Sequence, residues 1–341
     1  MMSPYYLDGL NFLSKSTPNR VWNAFKIFSS YYYSRLTAGS SSWGLPISIS
    51  VEPTTSCNLR CPECPSGLRS FTRPTGMLDM ALYENMLDQL HHVLWYLILY
   101  FQGEPYLHPQ FFDLIKLATA RNIYTATSTN GHYLNPENAR KTVASGLDRL
   151  VISIDGTSQD TYESYRVGGK LDRVLSGTKE IIKWKKELAS STPYVIFQFL
   201  VVKPNEHQVA EVMELAASLG VDKVALKTAQ IYDYQNGSPL IPDNPQYSRY
   251  RLNEDGSYSL KSKLLNQCWK MWHSCVMTWD GQVVPCCFDK DASHPMGDMK
   301  THRFKDLWFG EKYSAFRSRL TQARSEIDIC TNCTEGTKVF D

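Results

Sequence analysis

Nine cysteines strongly constrain what this chain can fold into, because they fall into two groups with about two hundred cysteine-free residues between them. Nine is an odd number, which a closed set of internal disulfides cannot use up, and a reducing cytoplasm does not maintain such bridges. The chain is therefore predicted to gather its thiols at two metal centres. The first group is Cys57, Cys61 and Cys64, and the second is Cys268, Cys275, Cys286, Cys287, Cys330 and Cys333.

Length and charge describe an ordinary globular protein. The 341 residues, 43% of them hydrophobic, are enough for one large domain and a smaller appendage. With 36 Lys and Arg against 34 Asp and Glu, the chain has no overall charge to attract nucleic acid. Its longest apolar run, residues 93–101, is far shorter than the roughly 20 residues of a membrane span. Because the N-terminus also lacks the pattern of a secretory signal, a cytoplasmic location without a membrane span is expected.

Residues 1–45 are predicted to form an amphipathic helical extension. They carry four basic side chains and one acidic side chain, and the aromatic residues Trp22, Phe25, Phe28 and Tyr32 recur at helical spacing. Since stripes of this kind usually face the core, the aromatic face is expected to pack on the main domain rather than to contact a membrane surface.

From residue 46 onward, short apolar segments alternate with helical patterns, which is typical of repeated β–α units and a parallel sheet. Six such units in residues 46–235 predict an α/β fold, either an incomplete barrel or an open wound sheet, because a closed barrel needs about eight. The predicted strands are residues 47–51, 96–101, 123–128, 149–154, 194–202 and 223–227. The predicted helices are residues 80–91, 109–120, 136–144, 171–188 and 207–219.

The β–α pattern is lost after residue 235. Residues 236–265 are rich in turn signals and are interpreted as a linker. Residues 266–341 are interpreted as a small cysteine-rich domain, in which Asp280 and Gly281 predict a hairpin turn between residues 275–279 and 282–286.

The first cysteine group supplies three thiolates within eight residues, in a loop that follows the first predicted strand. Three is the informative number, because a four-iron cubane held by three cysteines leaves one iron free to bind another molecule. Zinc is the alternative. A structural zinc site takes four ligands, however, and the nearest histidines to the triad are His91 and His92.

The run Cys57-Asn-Leu-Arg-Cys61-Pro-Glu-Cys64 resembles the signature of the radical S-adenosylmethionine (radical SAM) superfamily. This resemblance implies a partial (β/α)6 barrel with a [4Fe–4S] cluster whose open iron binds S-adenosylmethionine. It also implies an external one-electron reductant, such as flavodoxin or ferredoxin, and reductive cleavage of the cosubstrate to a 5′-deoxyadenosyl radical that abstracts hydrogen from a substrate.

The same resemblance assigns a set of strand-end residues to the cosubstrate. It places Glu104 at the methionyl amino group and Arg166 at the methionyl carboxylate, which suits a fork-shaped guanidinium. Each residue of the set also has an ordinary interpretation as a turn or a surface charge, but their order after successive strands favours the site. The implied cosubstrate-binding residues are Gly103, Glu104, Pro105, Thr129, Asn130, Ser153, Asp155 and Arg166.

The second cysteine group resembles the auxiliary-cluster domains called SPASM and twitch, through the spacing of Cys268, Gly281 and Cys286 and a later pair, Cys330 and Cys333. The resemblance implies that these four cysteines bind one second [4Fe–4S] cluster, since the seven-cysteine pattern for two clusters is incomplete. Only one of the neighbours Cys286 and Cys287 is expected to bind, because adjacent residues on a strand point to opposite faces, and the family spacing favours Cys286. A four-cysteine zinc site remains the alternative.

Function is predicted at the level of chemistry. The chain is interpreted as a radical SAM oxidoreductase or maturase acting on a peptide or a small molecule, such as a sugar or cyclitol alcohol, with the auxiliary cluster accepting an electron or supporting substrate binding. Asp289 is a candidate catalytic base by resemblance, with a solvated aspartate as the alternative. A non-catalytic iron–sulfur electron carrier or a zinc-stabilised interaction protein is the alternative from another class.

Overall fold

The computed structural model describes residues 4–335. Its helices are α1 Pro4–Ser14, α2 Pro18–Thr37, α3 Pro65–Leu68, α4 Met80–Leu90, α5 Phe111–Thr119, α6 Pro136–Ala144, α7 Gln159–Tyr165, α8 Leu171–Glu187, α9 Val209–Leu219, α10 Lys270–His273, α11 Phe304–Trp308 and α12 Glu311–Ala323. Its strands are β1 Ser48–Val51, β2 Tyr96–Ile98, β3 Tyr124–Thr129, β4 Arg149–Ser153, β5 Tyr194–Val201, β6 Lys223–Thr228, β7 Tyr250–Leu252, β8 Tyr258–Leu260, β9 Ser274–Met277, β10 Gln282–Val284 and β11 Gly297–Asp298.

Within the described residues, one sheet of nine strands runs in the order β11-β10-β9-β1-β2-β3-β4-β5-β6. The six predicted strands are β1 to β6, and each pairs in parallel with the next, so the predicted α/β class is confirmed. The sheet stays open between its edges β11 and β6, as expected for an incomplete barrel. All six strands consequently end at the same edge, where the predicted site residues lie.

The cysteine-rich segment extends the core sheet. The predicted hairpin forms, with β9 and β10 antiparallel. In addition, β9 pairs in parallel with β1, and Ser274 lies opposite Ser48. Sequence patterns do not reveal this pairing because the two strands are far apart along the chain. It joins the second cysteine group to the strand that leads into the first.

The segment interpreted as a linker contains regular structure of its own. The strands β7 and β8 form an antiparallel hairpin within it, with Tyr250 opposite Leu260. Tyr250 is buried and its hydroxyl accepts a hydrogen bond from the backbone of Ile231 across 2.9 Å. The turn-rich composition therefore marks a change of architecture rather than an unstructured connection.

The N-terminal extension forms two helices, anchored by the guanidinium of Arg20. Its terminal nitrogens donate to the carbonyl oxygens of Lys15 and Asn122 at 2.6 and 2.5 Å, and of His91 and Arg121 at 2.8 and 3.1 Å. These carbonyls need partners because unpaired buried backbone groups are costly. A single buried arginine thus fixes α2 to the ends of α4 and α5.

The expectation that the aromatic face of α2 packs on the main domain is wrong. Trp22, Phe25, Phe28 and Tyr32 are 61%, 57%, 53% and 44% exposed. The opposite face of α2 is buried, because its polar side chains form hydrogen bonds there. Arg20 makes the bonds described above, and the amide of Asn23 donates to the carbonyl of Leu45 at 2.7 Å. The buried residues of α2 are Arg20, Asn23, Ile27, Ser30, Tyr31 and Ser34.

In the described part of the chain, no helix has both the length and the apolar character needed to cross a membrane.

Candidate active site

The loop after β1 brings the three cysteines of the first group to one pocket. Cys57, Cys61 and Cys64 all line it, together with Glu104 and Arg166. Cys57 and Cys64 are partly buried and Cys61 is buried. Three thiols therefore meet a carboxylate and a guanidinium at the carboxyl edge of the sheet, as the sequence predicts.

Two glycines allow the loops to approach this closely. A Cβ at Gly67 would lie 2.5 Å from the backbone nitrogen of Cys61. Gly103 has a φ of +73°, and a Cβ there would lie 2.2 Å from the carbonyl oxygen of Thr54. Only glycine combines this left-handed conformation with such a contact. The backbone of Gly103 also donates to the hydroxyl of Ser66 at 2.9 Å, which ties the loop after β2 to α3.

Glu104 is the buried acid of the pocket. Its carboxylate accepts hydrogen bonds from the hydroxyl of Thr129 and the backbone of Asn130, both at 2.8 Å, and from the backbone of Tyr106 at 3.2 Å. Burial raises the pKa of Glu104 to about 7, although these three donors favour the charged form. The carboxylate is therefore held in place but is costly to ionise without a further cation.

Arg166 and Asp155 form the charged pair on the other side of the pocket. The Nε of Arg166 donates to Oδ2 of Asp155 at 2.5 Å, and Nη1 lies 3.8 Å from Sγ of Cys61. Burial opposes the charge on Arg166, but Asp155 and Cys61 outweigh it and raise the pKa of the guanidinium. The pair holds a permanent cation beside the thiols, and Nη2 of Arg166 makes no hydrogen bond within residues 4–335.

Four of the remaining predicted cosubstrate residues line the same pocket, whereas Pro105 is buried in the helical turn that follows Glu104. The four are Thr129, Asn130, Ser153 and Gly103. The side-chain amide of Asn130 donates to Oδ1 of Asn58 at 2.8 Å and lies 3.9 Å from Sγ of Cys57. The structure thus brings these residues together, while their roles toward a cosubstrate stay predictions.

The thiols fit an iron–sulfur cluster. Burial raises the pKa of Cys57 to about 11 and also raises that of Cys61, so both thiols are protonated without a metal and would release their protons on binding one. No three His, Cys, Asp or Glu side chains within residues 4–335 converge on a single metal ion. Three thiols in one pocket match a four-iron cubane that keeps one iron open, whereas a structural zinc site takes four ligands.

Three cysteines of the second group surround Arg324. Its Nη2 donates to Sγ of Cys333 at 3.5 Å. Burial lowers the pKa of Arg324, but the thiols of Cys268, Cys333 and Cys330 outweigh it and raise that pKa. Cys286 also interacts electrostatically with Cys268 and Cys333. These are the four cysteines predicted to bind the auxiliary cluster, and the guanidinium among them balances thiolate charge.

The other two cysteines of this group, Cys275 and Cys287, are not predicted to bind the auxiliary cluster. Cys275 is buried on β9 beside Tyr313 and Arg317, and burial raises its pKa to about 12. Cys287 interacts with Lys270 and with its neighbour Cys286, and both of these cysteines line one cavity. The choice of Cys286 over Cys287 as the cluster ligand stays a prediction.

Asp289 holds a turn. One carboxylate oxygen accepts from the backbone and hydroxyl of Ser293 at 2.7 and 2.8 Å, and the other accepts from the backbone of His294 at 2.9 Å. The residue is buried and lines none of the cavities described for the thiols. Its role as a base stays a prediction, and its contacts are those of a residue that stabilises the loop.

Sequence reasoning missed an ion pair that flanks the first cysteine group and contacts the second cysteine-bearing segment. Both terminal nitrogens of Arg73 donate to the buried carboxylate of Glu52, at 2.8 and 2.6 Å. Glu52 also accepts from the backbone of Trp279, and Arg73 donates to the carbonyl of Lys290. A lone Glu and Arg carry no motif, so the only available signal was the position of Glu52 directly after β1.

A cavity of about 520 Å³ lies against one face of β9, β1 and β2. Alternate residues of β1, Ser48 and Ser50, face it, as expected when one face of a sheet lines a cavity. Burial, followed by the charge of Lys270, lowers the pKa of His273 in its wall to about 4, so this imidazole is neutral. The aromatic and thiol residues of the wall are Phe12, Trp95, Tyr96, Trp269, Cys275, Cys286 and Cys287.

An open sheet with three thiols beyond strand β1, and three more around the buried Arg324, defines an iron–sulfur protein of the α/β class. The family model described as Radical SAM superfamily matches residues 51–216. The model described as SPASM, an iron–sulfur cluster-binding domain, matches residues 268–334. The chain belongs to the radical SAM superfamily and carries a C-terminal SPASM domain. It is therefore an enzyme that uses a [4Fe–4S] cluster and S-adenosylmethionine, with further iron–sulfur binding in the SPASM domain.

Similar proteins include two curated relatives. One is the tungsten-containing aldehyde ferredoxin oxidoreductase cofactor-modifying protein of Pyrococcus furiosus, 25% identical over 78% of this chain and 82% of that protein. The other is the mycofactocin maturase MftC of Mycobacterium tuberculosis, 27% identical over 84% of this chain and 75% of that protein. Among solved structures, anSMEcpe with bound AdoMet matches with a TM-score of 0.64 at 16% identity, over 86% of this chain and 88% of that one, which supports the fold.

Proposed function

We propose that the enzyme cleaves S-adenosylmethionine reductively at the Cys57, Cys61 and Cys64 pocket and abstracts hydrogen from a peptide or small-molecule substrate. The observation that carries this proposal is that the three thiols share one pocket with Glu104 and Arg166. When bound there, the cluster and cosubstrate supply a one-electron cleavage that yields methionine and a hydrogen-abstracting deoxyadenosyl group.

The chain's own residues bind and orient the cosubstrate. Glu104, fixed by three hydrogen bonds, accepts from the methionyl ammonium, whose positive charge offsets the cost of ionising a buried acid. Arg166 donates to the methionyl carboxylate while its Nε stays on Asp155. Opposite charges at the two sides of the pocket thus select the zwitterionic end of an amino acid.

The 520 Å³ cavity is proposed as the substrate site. It touches Cys286 and Cys287, so a substrate held there lies beside the auxiliary centre. Its wall carries four aromatic side chains and a neutral imidazole, and its two cations, Arg149 and Lys270, are paired with Asp8 and Glu335. This chemistry suits an uncharged group, either a side chain of a peptide or a small molecule such as a cyclitol alcohol.

One auxiliary [4Fe–4S] cluster on Cys268, Cys286, Cys330 and Cys333 is proposed to accept an electron or to support substrate binding. A flavodoxin or ferredoxin is proposed as the source of the electron for the first cluster, and the cytoplasm as the location. The aspartate Asp289 remains the proposed base, with the turn it holds as its competing role.

Electron paramagnetic resonance of the reduced, reconstituted enzyme tests the proposed cosubstrate site. Adding S-adenosylmethionine is expected to change the spectrum of one cluster in the wild type. In the Glu104→Gln/Arg166→Ala double variant the same addition is expected to leave the spectrum unchanged. An unchanged wild-type spectrum, or the same change in the double variant, would contradict the assignment of these residues.

A further inference from the structure

Exposed hydrophobic side chains concentrate in the N-terminal helices. Thirteen of the 23 large hydrophobic residues exposed within residues 4–335 lie before residue 45. Solvated surfaces rarely gather apolar side chains in this way unless something covers them. The thirteen are Tyr5, Tyr6, Leu7, Leu10, Leu13, Val21, Trp22, Phe25, Phe28, Tyr32, Tyr33, Leu36 and Trp43.

The exposed residues of α2 form one stripe along the helix, which we call the aromatic stripe: Trp22, Phe25, Phe28, Tyr32 and Leu36. At 3.6 residues per turn, this stripe lies opposite the buried face of α2. The same geometry places one basic residue on each of its flanks, namely Lys26 and Arg35.

The stripe cannot turn inward, because the other face of α2 is fixed. Arg20 holds four backbone carbonyls, and Tyr31 packs edge-on against Trp269 and Trp272 at 5.1 and 5.4 Å between ring centroids. The indole of Trp272 also donates to the carbonyl of Ser41, just beyond α2, at 2.8 Å. The helix is therefore held in one orientation, with the aromatic stripe exposed.

Charge favours an anionic partner. Asp8, the one acidic residue in the first 45, is buried and paired with Arg149. Lys26 and Arg35 take part in no ion pair of the described residues. A second copy of the chain docked on this stripe would bring the same two cations together without a carboxylate between them. An anionic lipid surface pairs with them instead.

Helix length and side-chain type favour a bilayer interface. The 20 residues of α2 span about 30 Å, so the stripe is long and straight rather than a compact patch. Tryptophan, tyrosine and phenylalanine flanked by basic residues are the side chains that insert at the boundary between headgroups and acyl chains. Arg20, Lys26 and Arg35 within the helix are incompatible with a span, so α2 would lie in the plane of the membrane.

We propose that the aromatic stripe of α2 docks the enzyme on the surface of an anionic phospholipid bilayer, on which it lies without crossing. This inference is independent of the reaction at the cysteine pocket. The enzyme would act on substrates that are delivered at, or released from, that surface.

Vesicle flotation of the full-length reconstituted enzyme tests the proposal. The wild type is expected to float with vesicles of phosphatidylglycerol and phosphatidylcholine, and to float less with phosphatidylcholine alone or at raised salt. The triple variant Trp22→Ser/Phe25→Ser/Phe28→Ser is expected to bind at least about tenfold more weakly. The variant Lys26→Glu/Arg35→Glu is expected to lose the preference for the anionic vesicles.

A matched control removes exposed hydrophobic side chains elsewhere. Leu252→Ser/Phe309→Ser is expected to bind like the wild type, since both residues are exposed but lie outside the N-terminal helices. Unchanged far-ultraviolet circular dichroism and cluster absorbance identify variants that have kept the fold. The proposal would be overturned if the wild-type protein floated with neither kind of vesicle, or if the triple variant bound as well as the wild type. A wild-type dimer that the triple variant converts to a monomer, while vesicle binding is absent, would also overturn it.

Discussion

Arg166 and Asp155 form a buried ion pair across the mouth of the cysteine pocket, with Nε of the arginine 2.5 Å from Oδ2 of the aspartate. The other oxygen of Asp155 accepts from the backbone of Leu200 on β5 at 2.7 Å. Nη1 of Arg166 meanwhile lies 3.8 Å from Sγ of Cys61. One guanidinium thus connects the thiols with the ends of two strands, which gives it a fixed orientation toward any carboxylate in the pocket.

Substituting Arg166 by Lys keeps the charge but removes the planar fork. An ammonium cannot hold Asp155 and a second carboxylate with the same geometry. We expect Arg166→Lys to weaken S-adenosylmethionine binding by about tenfold, measured by equilibrium binding to the reconstituted enzyme. The matched control Arg251→Lys, at an exposed position on β7, is expected to bind like the wild type. Equal affinity of both variants would contradict the role of Arg166.

Glu104 predicts a pH dependence of cosubstrate binding. Burial raises the pKa of Glu104 to about 7, and only its ionised form can pair with the methionyl ammonium. Because the ionised fraction falls as the pH falls through that pKa, affinity is expected to drop by about tenfold between pH 8 and pH 6. Isothermal titration calorimetry with the reconstituted enzyme measures the affinity for S-adenosylmethionine at each pH.

Two glutamate variants separate this effect from other titrations. Glu104→Gln is expected to bind more weakly at pH 8 and to lose most of the pH dependence. Glu84→Gln, at an exposed position on α4, is expected to follow the wild type. A Glu104→Gln profile that still falls tenfold would assign the titration to another group.

The sequence predicted the parallel strands well because the alternation of apolar segments and helical patterns is local information. All six predicted strands appear as β1 to β6, with ends shifted by a few residues. The pairing of β9 with β1 is not local, and no periodicity records it. The extended sheet is therefore the part of the fold that required the structure.

The residues of the candidate site also fall into two sets, those that sequence motifs locate and those that only the structure reveals. The cysteine triad and Glu104 stand in recognisable motifs at strand ends, so sequence patterns located them. Arg324 and the pair of Glu52 with Arg73 carry no motif, and only their contacts reveal them. Periodicity likewise showed that Trp22 and Phe25 share a helix face, but whether that face is buried depends on where Arg20 finds its partners.

The adjacent cysteines predict different iron contents. Both cysteines line the same cavity, but Cys286 interacts with Cys268 and Cys333, two of the proposed ligands, whereas Lys270 interacts more strongly with Cys287 than with Cys286. We expect Cys286→Ser to lower the iron content from about eight to about four per chain, and Cys287→Ser to leave it unchanged. Iron analysis after anaerobic reconstitution measures this difference. If Cys287→Ser lowered the iron content and Cys286→Ser did not, Cys287 rather than Cys286 would be the ligand.

Arg20 is expected to contribute strongly to stability. Its replacement by Ala leaves four backbone carbonyls without their donor, which we expect to cost about 3 kcal/mol in free energy of unfolding. The matched control Arg35→Ala removes an exposed guanidinium and should change stability by less than about 0.5 kcal/mol. Denaturant unfolding of the reconstituted enzyme, followed by circular dichroism, compares the two. Equal effects would mean that the bonds of Arg20 do not hold α2.

Formation of 5′-deoxyadenosine tests the central claim most directly. Iron-replete enzyme, reduced in the absence of oxygen and supplied with S-adenosylmethionine, is expected to produce it. The Cys57→Ala/Cys61→Ala/Cys64→Ala variant is expected to produce none while it keeps the absorbance of the C-terminal cluster. No 5′-deoxyadenosine from iron-replete wild-type enzyme, or equal amounts from the triple variant, would contradict the account.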